Sequence, residues 1–167
     1  CTLREDLLVE ITELAQAGRF DYLVIESTGI SEPLPVAETF TFADENGVSL
    51  SDIAHLDTMV TVVDAVNFLK DFDEARYLQE TGESLGAEDE RSVTDLLIEQ
   101  VEFADVILIS KTDLVDKSHI DRLTAILKTL NTEATIYPIT QGQVETDKVL
   151  NTGLFSFERA EEAPGWL

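Results

Sequence analysis

The stretch Asp21-Tyr22-Leu23-Val24-Ile25-Glu26-Ser27-Thr28-Gly29 decides the expected fold of this chain. Its uninterrupted apolar run is typical of a β-strand that is covered on both faces, as in a parallel sheet. The run ends in a carboxylate, Glu26, followed by two hydroxyl residues and Gly29. Because ligands of open α/β sheets bind beyond the carboxyl ends of the strands, this end could hold a metal ion beside a phosphate. An ordinary exit from strand to loop is the alternative interpretation, and the stretch alone does not decide between the two.

Three further apolar runs predict strands at residues 58–64, 106–109 and 135–137, and apolar residues recur at helical spacing between them. Strands that alternate with helices predict an α/β fold, here a three-layer parallel sheet with flanking helices and right-handed crossovers. We expect residues 1–167 to form a single α/β domain. Residues 73–91 are rich in acidic side chains and contain two glycines, so we expect an acidic mobile loop there.

Composition narrows the classes of partner. The chain has 167 residues, 44% of them hydrophobic, and a formal net charge of −23. Such an acidic surface argues against nucleic acid or an anionic membrane as a partner and fits cations, a basic partner or simple solubility. The one cysteine excludes an intramolecular disulfide, and no apolar run is long enough to span a bilayer. These features favour a reducing compartment, the cytoplasm.

The tetrapeptide Ser110-Lys111-Thr112-Asp113 follows the predicted strand at 106–109. Guanine presents two adjacent donors, its ring N1–H and its exocyclic amine, and one carboxylate can accept both. Asp113 is therefore a candidate for guanine recognition, with the aliphatic stem of Lys111 lying over the base. Many guanine-nucleotide proteins carry asparagine where Ser110 stands. A polar strand exit that precedes a helix is the alternative interpretation of this tetrapeptide.

Asp64, which ends the predicted strand at 58–64, has two interpretations. It is either a second acidic group near a phosphate site or a cap on the following turn. His55 and His119 have no Cys or His partner at ligand spacing, so we expect surface histidines at both positions.

The order of these motifs resembles a known family, the CobW-like (cobalamin synthesis protein) branch of the metal-linked P-loop GTPases related to urease and hydrogenase accessory proteins. The matching segments, which extend over nearly the whole chain, are Cys1–Leu7, Glu26–Gly29, Thr61–Ala65, Asp89–Arg91, Gln100–Asp105, Ser110–Asp113 and Glu161–Leu167. The resemblance implies a P-loop NTPase-like fold and a GTP-binding, GTP-hydrolysing metallochaperone linked to cobalamin synthesis or metal delivery. It also implies GTP with Mg²⁺, Zn²⁺ or Co²⁺ as cofactors, and a client metalloprotein as partner.

The resemblance assigns roles to particular residues. Glu26 would be the catalytic acidic residue near the magnesium-bound water, and the amide of Gly29 would lie near the terminal phosphate. Cys1 would be one thiolate of a cobalt- or zinc-type site, with a free thiol as the alternative interpretation, and Glu26 would be a metal-site residue on the magnesium side. The guanine-binding residues implied are Ser110, Lys111 and Asp113, with backbone contacts from Thr140 and Gln141.

The family pattern is incomplete within these 167 residues. The motif Gly-x-x-x-x-Gly-Lys-Ser/Thr does not occur, and of the family's Cys-x-Cys-Cys cluster only Cys1 matches. The resemblance therefore implies the C-terminal two-thirds of a GTPase domain, incomplete at its N-terminus, with negligible hydrolysis by itself. A missing neighbour strand would also leave a hydrophobic sheet edge that favours self-association. The alternative function is an acidic α/β module that binds proteins or cations without nucleotide chemistry.

Overall fold

A computed structural model describes residues 2–27, 32–41, 49–73 and 93–162. The chain divides into two compact units, one of Cys1–Asp57 with Phe155–Leu167 and one of Thr58–Leu154. A single domain over residues 1–167 stays a prediction. The expected acidic loop at 73–91 lies outside the described residues except for Asp73.

The helices and strands follow the predicted α/β alternation. The strands are β1 (Val60–Asp64), β2 (Val106–Ser110) and β3 (Thr135–Pro138). The helices are α1 (Thr2–Gln16), α2 (Pro33–Thr39), α3 (described over residues 68–73), α4 (Val93–Glu102), α5 (Lys117–Leu130) and α6 (Phe157–Glu161). No helix in the described part of the chain is long and apolar enough to cross a membrane.

The first unit is built around α1 and α2. Helix α1 ends where Gly18 takes a positive φ of 58°, a conformation that glycine adopts without steric cost. The two prolines of α2 occupy its first turn, where a missing N–H group costs no hydrogen bond. Ile11, Phe40 and Leu50 are buried together, and Phe157 of α6 packs against them. This cluster is the hydrophobic core of the first unit.

The second unit holds a three-stranded sheet in the order β1-β2-β3. Its strands are parallel, as the sequence predicts. In its register, Val62 lies beside Leu108, and Leu108 lies beside Tyr137. One face of the sheet packs against α3, α4 and α5 in a cluster that includes Val63, Phe68, Val101, Ile107, Ile109, Leu123 and Leu127. On the other face, Val106 and Leu108 pack with Ile139. Both faces of β2 are covered, which is why its run of apolar residues is continuous.

A buried asparagine connects the ends of two helices in this unit. The amide nitrogen of Asn131 lies 2.8 Å from each of the carbonyl oxygens of Val101 and Ala104, at the end of α4. Its amide oxygen accepts hydrogen bonds from the backbone of Glu133 and Ala134, before β3. Because the side chain is only 7% exposed, these bonds replace the water that a polar group would otherwise require.

The prediction of a strand in the stretch that begins at Asp21 is wrong. Residues 22–27 form no strand, and the side chains of Leu23, Val24 and Ile25 are 43%, 71% and 39% exposed. One side chain of the stretch is held, since the hydroxyl of Tyr22 donates to Asp57 at 2.6 Å. The backbone of the stretch has no strand to pair with in its own unit, because all three described strands belong to the other unit. A strand forms only when a neighbour supplies its backbone hydrogen bonds, and apolar spacing along the chain does not reveal that neighbour.

Candidate functional site

The candidate site forms where β1, β2 and β3 end, at the edge of the sheet where their carboxyl ends meet. Strand β2 delivers Ser110, whose hydroxyl donates to the carbonyl oxygen of Val63 at 3.1 Å. The backbone N–H of Ala65 donates to the carbonyl oxygen of Ser110, also at 3.1 Å. These two bonds continue the pairing of β1 and β2 beyond their last residues, so the two exits are held side by side.

Lys111 leaves the strand in a left-handed conformation, with φ of 57° and ψ of 32°. This conformation is uncommon for residues with a side chain. It turns the chain into a short 3₁₀ helix, Thr112–Leu114, which carries Asp113. The Lys111 ammonium lies 2.6 Å from Oδ2 of Asp64, the last residue of β1. The turn after β2 is therefore tied to the end of β1 by an ion pair.

The carboxyl group of Asp64 also caps the turn that follows it. Its Oδ1 accepts from the backbone N–H of Val66 at 2.8 Å, and its Oδ2 accepts from the side chain of Asn67 at 2.9 Å. Burial alone would raise the pKa of Asp64, but the hydrogen bonds from Lys111, Val66 and Asn67 outweigh it and hold that pKa below its ordinary value of 3.8. Asp64 is thus an ionised anchor shared by two loops.

The exit of β3 is attached to the same turn through Thr112. The hydroxyl of Thr112 lies 2.9 Å from the carbonyl oxygen of Ile139 and 3.0 Å from the hydroxyl of Thr140. Gln141 and Gly142 follow with positive φ of 52° and 70°. The structure therefore brings Thr140 and Gln141, two of the predicted nucleotide-binding residues, to the edge where Ser110, Lys111 and Asp113 lie.

The side chain of Asp113 is exposed, and it differs from those of Lys111 and Thr112 because it makes no hydrogen bond or ion pair within the described part of the chain. The turn that carries it is tied to the end of β1 by Lys111 and to the exit of β3 by Thr112. A carboxylate on a fixed turn, with both oxygens available, is suited to accept two parallel hydrogen bonds from one ligand.

The other predicted site residues are not brought to this edge by any described contact. Glu26 lies exposed in the irregular stretch of the first unit, while Cys1 and Gly29 lie outside the described residues. Within residues 2–27, 32–41, 49–73 and 93–162, no group of three or more His, Cys, Asp or Glu is placed to hold a metal ion. The described side chains therefore do not form a complete zinc or cobalt site.

Two contacts of the site had only weak signals in the sequence. His119, expected at the surface, is half-buried, and its Nε2 lies 2.8 Å from the carbonyl oxygen of Ala65. Asp64 was open to two interpretations, and the structure shows that it caps its turn. The N–H that Asp64 accepts lies two residues on, at Val66, as in an Asx turn, and an aspartate at a strand exit is the sequence signal that favours such a cap. The ion pair with Lys111, 47 residues away, has no sequence signal.

The fold is that of the P-loop NTPase class. A family model for the nucleotide-binding domain of CobW, HypB and UreG matches residues 1–138, so the chain belongs to that family. The solved structure of Zn(II)-bound YjiA GTPase from E. coli superimposes with a TM-score of 0.66 at 27% sequence identity, covering 91% of this chain and 41% of that one.

Two curated relatives agree with this assignment. The chain is 49% identical to zinc-regulated GTPase metalloprotein activator 1 of Dictyostelium discoideum, over 100% of its own length and 35% of that protein. It is 30% identical to the zinc chaperone YjiA of Escherichia coli K12, over 92% of its own length and 41% of that protein. The chain thus spans well under half the length of these relatives.

Proposed function

We propose that this chain is the guanine-recognising part of a GTP-binding and GTP-hydrolysing metallochaperone. The whole protein would deliver zinc or cobalt to a client metalloprotein, in cobalamin synthesis or another metal-dependent process. The names of the relatives support this proposal, since they describe a GTPase metalloprotein activator and a zinc chaperone. The observation that carries it is the carboxylate of Asp113, which makes no described side-chain contact and lies on a turn that is tied to both β1 and the exit of β3.

The chemistry of the base explains why this carboxylate would select guanine. Guanine offers the N1–H and the exocyclic amine side by side, and the two oxygens of Asp113 accept both. Adenine offers a ring nitrogen acceptor in place of the N1–H, so the carboxylate would face another acceptor. The stem of Lys111 would cover the base plane, while Ser110, Thr140 and Gln141 would line the same edge.

Isothermal titration with GDP, ADP and XDP tests this assignment. We expect the protein to prefer GDP over ADP by at least about tenfold, because an analogue without the matching donors leaves a polar site unpaired. In Asp113→Asn one acceptor becomes a donor, which matches the carbonyl group that xanthine carries in place of the guanine amine. The variant should therefore lose GDP binding and gain XDP binding.

Asp147→Asn, a change of an exposed carboxylate in the turn Thr146–Lys148, is the matched control and should bind GDP as the unaltered chain does. Equal affinity for GDP and ADP, or no binding of either, would argue against a guanine site. It would instead favour the acidic protein-binding or cation-binding module.

The phosphate side of the proposal rests on Glu26 and Gly29. The carboxylate of Glu26 would hold magnesium or its bound water, and the amide of Gly29 would lie near the terminal phosphate. Magnesium, when bound, would neutralise charge on the phosphates. Cys1 would contribute one thiolate to a zinc or cobalt site, since borderline metals accept sulfur ligands.

Hydrolysis by these 167 residues alone should be negligible. They contain no Gly-x-x-x-x-Gly-Lys-Ser/Thr motif, whose backbone amides and lysine stabilise the charge that develops on the transferred phosphoryl group. A phosphate-release assay checks this, and robust magnesium-dependent turnover would contradict it.

The surface of the protein supports the remaining parts of the proposal. With a net charge of −23, the chain is not expected to bind nucleic acid or anionic membranes. Its one cysteine suits a reducing compartment, so the location that we propose is the cytoplasm. We also propose that the chain self-associates. Val60 and Val62 of β1, the strand at one edge of the described sheet, are 40% and 63% exposed, and exposed apolar edge strands tend to pair with other chains.

A further inference from the structure

The ion pair between Asp64 and Lys111 joins the exits of two neighbouring strands. Its atoms are 2.6 Å apart, with the lysine side chain 51% exposed and the aspartate side chain 29% exposed. Pairs this exposed to water add little to stability, because solvent screens them and two side chains must be ordered. A contribution to global stability is therefore a weak explanation for this pair.

The lysine is the residue at which the chain turns after β2. It is one of three described residues other than glycine with positive φ, a conformation that carries a steric cost for a residue with a Cβ. The surrounding contacts must offset that cost. Two of them act from either side of the residue: Ser110 is bonded to Val63, and Thr112 is bonded to Ile139. The ion pair with Asp64 is the contact made by the lysine side chain itself.

The aspartate is a rigid acceptor, not a mobile one. Its two oxygens receive the backbone N–H of Val66 at 2.8 Å and the side-chain amide of Asn67 at 2.9 Å, in addition to the ammonium group. The same loop is held from α5, since His119 contacts the carbonyl oxygen of Ala65 at 2.8 Å. Both carboxylate oxygens are thus engaged, which argues against a second role of Asp64 as a metal or phosphate-side ligand.

We propose that Asp64 is a positioning residue for guanine binding: it anchors the ammonium group of Lys111 so that the stem of this lysine is fixed beside the carboxylate of Asp113. The inference rests on the proposed function, because Lys111 and Asp113 would be the residues that contact the base. Because the lysine stem is already ordered, binding costs less side-chain entropy, and the affinity for the guanine nucleotide should be higher.

A double-mutant cycle tests the inference, with GDP and ADP titrated calorimetrically into the unaltered chain, Asp64→Asn, Lys111→Met and the double variant. Asparagine keeps an acceptor for the turn at Val66 but removes the charge that holds the ammonium group. If Asp64 acts through Lys111, each single variant should weaken GDP binding by roughly fivefold or more, and the second change should add less than about twofold. The Lys111→Met variant reaches the same ion pair from the other side if Asp64→Asn proves hard to fold.

Asp121→Asn is the matched control, because Asp121 forms a comparably short, more exposed ion pair with Lys117 at 2.7 Å on α5. It should leave GDP affinity unchanged. If Asp64→Asn binds GDP like the unaltered chain, or if its effect adds fully to that of Lys111→Met, the positioning role is refuted while the guanine site stands. If the unaltered chain shows no preference for GDP over ADP, the guanine site fails, and the positioning role fails with it.

Discussion

The hydroxyl of Ser110 donates to the carbonyl oxygen of Val63 at 3.1 Å, which commits the last side chain of β2 to the neighbouring strand. Many guanine-nucleotide proteins carry asparagine at this place, and a side chain turned into the sheet is less available to a base. Base discrimination in the proposed site would then rest mainly on Asp113.

The first prediction follows from that bond. Ser110→Ala should lower the free energy of unfolding by about 1 kcal/mol, the typical loss for one half-buried hydrogen bond. It should preserve the ratio of GDP to ADP affinity. Urea unfolding and calorimetric titration measure the two effects. Thr129→Ala, which removes a hydroxyl from the exposed side of α5, is the control. Loss of the GDP preference in Ser110→Ala would mean that the hydroxyl contacts the base.

A second prediction concerns the buried amide of Asn131. Asn131→Leu has a similar volume but removes one of the two hydrogen bonds to the carbonyl oxygen of Val101. It also leaves the carbonyl oxygen of Ala104 and the N–H groups of Glu133 and Ala134 without their side-chain partner. Each unsatisfied buried group costs about 1–3 kcal/mol, so unfolding should become easier by at least about 3 kcal/mol. Urea unfolding measures the difference. Glu133→Gln, an exposed neighbour, should change stability little. A loss below about 1 kcal/mol would show that water replaces the amide.

The third prediction is a pH dependence that arises from Asp64. Hydrogen bonds hold the pKa of its carboxyl group below the ordinary value of 3.8, which the unfolded chain should show. The ionised form therefore stabilises the folded state above that value, and this stabilisation is lost as the pH falls through the folded-state pKa. The difference in urea midpoint between the unaltered chain and Asp64→Asn should stay constant from about pH 7 to about pH 5 and shrink below 3.8. Lys111→Met should reduce the same pH dependence. A difference that changes mainly near neutral pH would point to another group.

The fourth prediction concerns the exposed valines of β1. Val62→Lys places a charge on the exposed part of this edge strand, so it should shift a self-associated chain toward monomer while leaving the fold intact. Multi-angle light scattering over a range of concentrations measures the shift. Ile53→Lys, at an exposed apolar residue in the first unit, is the control and should associate like the unaltered chain. An unaltered chain that stays monomeric at high concentration would remove the basis of this prediction.

Several elements were predictable because their signals are local. The runs at 106–109 and 135–137 form β2 and β3, since an apolar segment between helices has few other ways to bury its side chains. The start of α2 follows from its prolines, which favour the first turn of a helix. The residues Ser110–Asp113 were correctly placed at the end of a buried strand for the same reason.

The stretch at residues 21–27 shows that an apolar run alone is not sufficient to predict a strand. Its apolar run resembles that of β2, yet Leu23, Val24 and Ile25 are exposed and the stretch joins no sheet in the described part of the chain. The difference lies in the neighbours: β2 is paired on both sides by β1 and β3, whereas the neighbour that the opening stretch requires cannot be identified from its own sequence.

The sequence by itself determined the family, the α/β alternation and the chemical groups available at the strand ends, because these depend on residue type and order. Only the tertiary structure decided which of those groups meet. Asp64 and Lys111 are far apart along the chain but 2.6 Å apart in space, and Thr112 reaches the exit of β3 in the same way. Parallel pairing aligns the ends of β1, β2 and β3 at one edge, and that alignment leaves Asp113 exposed while its neighbours are bonded.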